Sequence, residues 1–157
     1  MTTIADYADR TIDVLAFSGV KQSGEALLTQ ELFNSEQSGL VCTGIQKLAQ
    51  RFILELLTDK GSMQGKPNNG TGLMQAYRQG VVRSEMDAVQ EWAFAVNEAL
   101  ANMRAEEAIT DPDDERISSV ELDSVAFSPG IKVAYYAKLI SLAGTDRKVI
   151  LPLPIIP

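Results

Sequence analysis

Ile45, Leu48, Ala49, Phe52, Ile53, Leu56 and Leu57 recur at steps of three and four, which lays one apolar stripe along a helix. Thr43 with Gln46 has the spacing of a capping box at its start, and Gly61 is suited to end it in the left-handed conformation. A short helical turn over Leu73 to Gln79 closes at Gly80. From Ser84, paired with Asp87 as a second capping box, Met86, Val89, Ala93, Val96, Leu100 and Met103 predict a longer helix. Trp92 and Ala99 widen its buried stripe, while Glu85, Gln90, Glu91, Asn97 and Glu98 face away.

The period changes after TDPDDER, residues 110–116, where Pro112 ends helical spacing. Val120 and Leu122 alternate with polar residues, and Val125 and Phe127 resume in the opposite parity, which predicts a bulge or twist near Ser124. Ser128, Pro129 and Gly130 turn the chain into Ile131, Val133, Tyr135, Ala137 and Leu139, a strand of period two. A turn at Gly144 to Arg147 then introduces Val149, Ile150, Leu151 and Leu153. The expected fold is α+β: two main helices packed on a small antiparallel sheet, with a C-terminal three-stranded meander and an edge-strand tail. Upstream, residues 1–40 form an N-terminal extension, in which Ile12, Val14, Ala16 and Val20, Ala26, Leu28, Leu32 predict two short strands around a turn from Gly19 to Gly24. Residues 41–157 form the main domain.

The tail ILPLPIIP carries its own constraint. Alternate N–H groups of a strand point to the same edge, so Pro152 and Pro154 remove donors from one side, and Leu151, Leu153 and Ile155 keep theirs on the other. The segment is either the terminal edge strand of its own sheet or an arm that joins another chain's sheet.

Composition narrows the chemistry. At 157 residues with 45% hydrophobic positions, the chain can bury one core of ordinary size. A net charge of −7, with no cluster of Lys and Arg, argues against nucleic acid and anionic membrane as partners. No basic-then-apolar leader and no membrane-length apolar run are present, so neither secretion by a signal peptide nor anchoring is expected. With no histidine, Ser/His/Asp and Cys/His devices and histidine-rich zinc sites cannot be assembled. The lone Cys42 cannot form an internal disulfide, which points to a reducing compartment and to a buried small hydrophobe rather than a reactive thiol. No cofactor, metal or catalytic residue is expected.

Two stretches invite a chemical reading and resist it. Between Thr58 and Leu73 stand four glycines and two lysines, yet Gly61 and Gly65 enclose three residues and Pro67 follows Lys66, which breaks the phosphate-loop pattern. The acids Asp111, Asp113, Asp114 and Glu115, with Glu106 and Glu107, could furnish a glycosidase pair, but a run beside Pro112 fits hydrated surface or partner contact better. TDPDDERISSVE also lacks the mid-loop glycine of a calcium loop.

QKLAQRFILELL running into TDKGS and then KPNNGTGL resembles the signature of the baseplate-wedge and sheath-initiator family of contractile phage tails, some members of which carry the label tail lysozyme. Leu56, Leu57, Thr58, Gly61, Ser62, Pro67, Gly70 and Leu73 carry the resemblance, which covers most of the chain after about residue 40. It implies a connector built on Thr58, Gly61, Ser62, Pro67, Gly70 and Leu73. At the family's Glu-Pro-Arg motif this chain has Asp114, Glu115 and Arg116, without the proline. The resemblance implies that these three residues engage the wedge core, and that Leu151, Leu153 and Ile155 join a strand exchange with the first ring of tail sheath subunits. The partners it implies are other baseplate wedge proteins and the sheath protein, with several copies, six by expectation, around the tail axis. The place it implies is the virion's tail baseplate, after synthesis in the host cytoplasm. The rivals are a peptidoglycan hydrolase using Glu115 and a neighbour, and a small cytoplasmic adaptor of the same fold.

Overall fold

A computed structural model describes residues 13–14, 17–22, 25–30 and 41–155 of the chain. The fold is α+β. Strands β1 (Asp13–Val14), β2 (Phe17–Gln22), β3 (Glu25–Gln30) and β4 (Val41–Cys42) precede helices α1 (Gly44–Leu57), α2 (Leu73–Arg78) and α3 (Glu85–Glu106). A single 3-10 turn, Asp113–Glu115, leads into β5 (Ile117–Ser128), β6 (Lys132–Ser141) and β7 (Asp146–Pro154). The last three strands form an antiparallel meander in the order β5-β6-β7, and β2 pairs with β3 as a separate hairpin.

The N-terminal pairing differs from the expected one. Asp13 and Val14 pair with Cys42 and Val41 instead of entering the hairpin, and Gly19 lies within β2 opposite Leu28, so the turn is tighter than Gly19 to Gly24. Ile12, Ala16, Gly24 and Leu32 lie outside the described residues. The second hairpin strand runs close beside β7 without entering its ladder.

The core forms where α1 and α3 cover one face of the meander. Leu48, Ala49, Phe52, Ile53 and Leu56 are buried as the α1 stripe requires. On β6, Val133, Tyr135, Ala137 and Leu139 meet them, and the predicted parity switch is a register shift between Leu122 and Ser124 of β5. Trp92 stacks on Tyr135 with centroids 4.5 Å apart and meets Phe52 edge to face at 6.4 Å. Such ring geometry adds about 0.5–1.5 kcal/mol per pair beyond area burial.

That aromatic cluster sets the rotation of α3 and corrects its predicted stripe. Ala88, Trp92, Ala95, Val96, Ala99 and Met103 are buried, whereas Met86 and Ala93 are exposed. A large ring at 92 is flanked by alanines at 88, 95 and 99, whose small side chains let the helix close on the sheet. The capping box of Ser84 and Asp87 is formed in both directions. At α1 the expected box is absent: Thr43 makes no side-chain cap. Its helix also ends before Gly61, at Leu57, where Thr58 donates both its N–H and its hydroxyl to the Leu54 carbonyl. Gly61 does adopt φ +79°, but inside the connector.

Candidate functional site

Three regions hold the residues singled out by sequence, and the structure treats them differently. The first is the acidic turn. Glu115 is not surface: it is 3% exposed, it accepts the Gly44 N–H at 3.0 Å through Oε1, and it receives the Lys47 ammonium at 2.6 Å through Oε2. Its carboxylate therefore does at the start of α1 what Thr43 and Gln46 were expected to do, satisfying a first-turn donor and meeting the positive end of the helix dipole. Within the single chain both oxygens of Glu115 are thus engaged, at the start of α1. No local sequence signal announces it, because cap and helix are 71 residues apart.

Arg116 sits at the rim of the same turn. Its Nη1 lies 3.5 Å from Asp113 Oδ1 and its Nε 3.9 Å from Glu107 Oε2, while Glu107 Oε1 accepts the Ile117 N–H. Both ionic contacts are long, and since the Asp113 side chain is exposed, an external carboxylate could replace that one at little cost. Asp113 and Arg116 also accept the Ala143 and Leu142 N–H groups through their backbone carbonyls, which docks the turn against the β6–β7 connection. Asp114 is half-buried beside them.

The second region is the connector. Thr58, Gly61, Ser62, Pro67, Gly70 and Leu73 fall in one closed loop whose ends are pinned together by Thr71 N–H to the Thr58 carbonyl and by Lys60 N–H to the Thr71 carbonyl. Its remaining donors turn inward: Gly61 N–H to Asn69, Ser62 N–H to Asp59, Gly70 N–H to Glu55 at 2.7 Å and Gly72 N–H to Glu98 at 3.0 Å. Pro67 places its carbonyl against Gly61, and Leu73 is buried in the core. Gly70, at φ +88°, is the tight point, since a Cβ there would lie 2.5 Å from the Thr58 carbonyl oxygen. Gly72 is not a tight point: its φ is −78° and a Cβ there would meet nothing nearer than 3.9 Å.

Sequence reasoning missed what staples this loop. Glu98, Asn102 and Glu106 recur every fourth residue along one face of α3. Lys60 pairs with Glu98, Lys66 and Asn69 with Glu106, and Asn102 bridges Glu55 and the Gly70 carbonyl. That spacing was available in the sequence as a signal. With these N–H groups spent and three glutamates along its inner wall, the loop offers a phosphate no favourable field there. Lys66 and Asn69 hold the Glu106 carboxyl below the usual range; partial burial opposes the same shift at Glu98, where Lys60 and the Gly72 N–H prevail.

The third region is the carboxyl-terminal strand. Ile155 donates its N–H to the Ile131 carbonyl at 3.0 Å, so the alternation of an antiparallel ladder turns the N–H groups of Leu153, Leu151 and Val149 toward β6 as well. Leu151 and Leu153 are buried in the chain's own core. Within the single chain these donors are spent on β6. Pro152 and Pro154 stand opposite Ala134 and Lys132 at positions that face away from β6. The outer edge of β7 thus carries N–H groups at Asp146, Lys148 and Ile150, then carbonyls alone. Among the described residues, no strand ladder occupies that edge.

Elsewhere the titratable groups are muted. Burial, with Asp13 beside it, pushes the Cys42 thiol up to about 11, as an inert buried cysteine requires. Tyr77 and Tyr135 share a 2.7 Å hydroxyl contact, and Tyr135 donates on to the Ala88 carbonyl. Burial raises both phenols, Tyr77 to about 12. Among the described residues no cluster of His, Cys, Asp and Glu could hold a metal ion, and no helix is long and apolar enough to cross a membrane. Comparison with family models, curated proteins and solved structures finds no match to this chain.

Proposed function

We propose that this chain is a structural baseplate component of a contractile phage tail or a related injection machine, joining the wedge to the sheath and templating the first sheath ring. The observation that carries the proposal is the outer edge of β7, a strand edge with three donors followed by two prolines. The resemblance in the connector and in Asp114-Glu115-Arg116 supplies the setting. In this scheme the Arg116 rim and the helical layer face wedge proteins, and a sheath strand adds to β7.

The prolines give the added strand one register. A partner acceptor opposite Lys148 or Ile150 finds an N–H, whereas a slip of two residues toward the carboxyl end sets it against Pro152. Addition also requires the β2–β3 hairpin to make way, because β3 runs close beside β7. Backbone complementarity of this kind sets position without any catalytic group.

Lys148→Pro tests the proposal. It removes one outward donor at an exposed position that makes no ladder bond to β6. Baseplates carrying the variant should bind wedge proteins normally and fail to start sheath. Sheath that polymerises normally on baseplates lacking the whole protein would end the templating role. Cell-wall substrate cleared by the purified chain, with clearing lost in Glu115→Gln, would favour the hydrolase instead.

A further inference from the structure

Helix α3 is apolar on two sides, and the chain buries one of them. Beyond the buried stripe, Met86 and Phe94 are each 66% exposed, and Gln90, Ala93, Asn97 and Ala101 complete an outward face across the helix. Val89 and Leu100, half-buried, join this face to the core stripe. From Met86 to Ala101 the face carries no charge, in a chain where 22% of residues are charged. A helix with apolar surface on both sides is suited to lie between its own core and another element. Alanines at 93 and 101, flanking the Phe94 ring, leave room for a second helix to approach closely.

The flanks select the occupant. Asp87 and Glu91 stand four residues apart along one border of the face, short of Glu98, which is taken by Lys60 and the Gly72 N–H. Asp87 is held below the usual carboxylate range by the Arg83 N–H and the Ser84 hydroxyl, so it stays charged. A second copy packed antiparallel about a two-fold axis would set this acidic border against itself, and each copy already carries net charge −7. We infer that the outward face of α3 docks an amphipathic helix of a different protein, with an apolar stripe seated on Phe94 and Met86 and Lys or Arg along the flank that meets Asp87 and Glu91. This surface is separate from the β7 edge, so either can fail without the other.

Two synthetic helical peptides with the same leucine stripe, one flanked by lysine and one by glutamate, test the assignment against the full chain. Fluorescence anisotropy should give the lysine-flanked peptide an affinity at least about tenfold higher. Amide shifts on binding should map to residues 86–101, and Phe94→Ser should abolish binding with the thermal melt unchanged, since the ring lies in solvent. The inference is overturned if neither peptide binds, if the shifts map elsewhere, or if Phe94→Ser binds as well as the parent. Sedimentation showing self-association that Phe94→Ser removes would give the face to a second copy and overturn it equally.

Discussion

The connector and the outer edge of β7 are both short runs of backbone punctuated by glycine or proline, and they dispose of their polar groups in opposite ways. Residues 58–73 turn most of their N–H groups onto nearby carbonyls and onto Glu55 and Glu98, so the loop is closed by the chain that makes it. Lys148 and Ile150 point theirs away from the sheet, and two prolines then remove donors altogether. A buried polar group left unpaired costs about 1–3 kcal/mol, whereas one facing solvent or a partner does not, so direction decides which region is scaffold and which is surface. The difference teaches that a glycine-rich loop can be entirely structural while a proline-rich strand keeps an open side.

Glu115 belongs with the finished groups, and its loss should be the severest test of that class. Glu115→Ala strips the Gly44 cap and leaves the Lys47 ammonium, 11% exposed, without its carboxylate. Breaking such a buried pair costs about 3–5 kcal/mol, to be read from urea midpoints, and Glu115→Gln, which retains an acceptor for Gly44, should cost clearly less. Equal midpoints for Glu115→Ala and the parent would move this residue back to the surface class.

Within the connector, Gly70→Ala should lower stability by about 3 kcal/mol, because the residue is in the left-handed region and its Cβ would strike the Thr58 carbonyl. Gly72→Ala, two residues on, should change stability by no more than about 0.5 kcal/mol. If the two alanines behave alike, the closed loop is not what holds this segment.

Acid should loosen the connector before the sheet. The Glu106 carboxyl is lowered by Lys66 and Asn69, and Glu98 is lowered as well, so the unfolded chain binds their protons more readily than the folded one. Their contribution is complete above the unfolded glutamate value of about 4.3 and is lost as pH falls through the lower folded values. Amide exchange across residues 60–72 should rise in that window while β6 stays protected.

The smallest effect on stability is expected at the edge itself. Pro152→Ala restores an outward N–H without altering the ladder to β6, so the melt should move little, while light scattering at high concentration should report more edge-to-edge association. An unchanged scattering profile would mean that the prolines do not guard that edge.

Much of this architecture was legible in the sequence, and each part that was not depended on a distant partner. The α1 stripe, the Ser84–Asp87 box and the bulge before Ser124 are local patterns, and all three appear where the spacing put them. Periodicity could not choose between two apolar faces of α3; the stack of Trp92 on Tyr135 chose. Glu115 is separated from Gly44 by 71 residues, which no local window spans. Pro152 and Pro154 visibly share one side of their strand, but which side is open follows only from Ile155 bonding Ile131. As for the candidate site, its residues could be named from sequence, and the directions of their hydrogen bonds could not.

Hydrogen exchange at the Lys148 and Ile150 amides tests the central claim most directly. Lys148, at an exposed position, should exchange freely in the isolated protein, Ile150, buried on the strand beside β3, should exchange more slowly, and both should become protected when the chain is assembled with sheath on a baseplate, while Leu151 and Leu153 are protected in both states. Equal exchange at Lys148 and Ile150 in the free and assembled protein would contradict the claim that another molecule completes this edge.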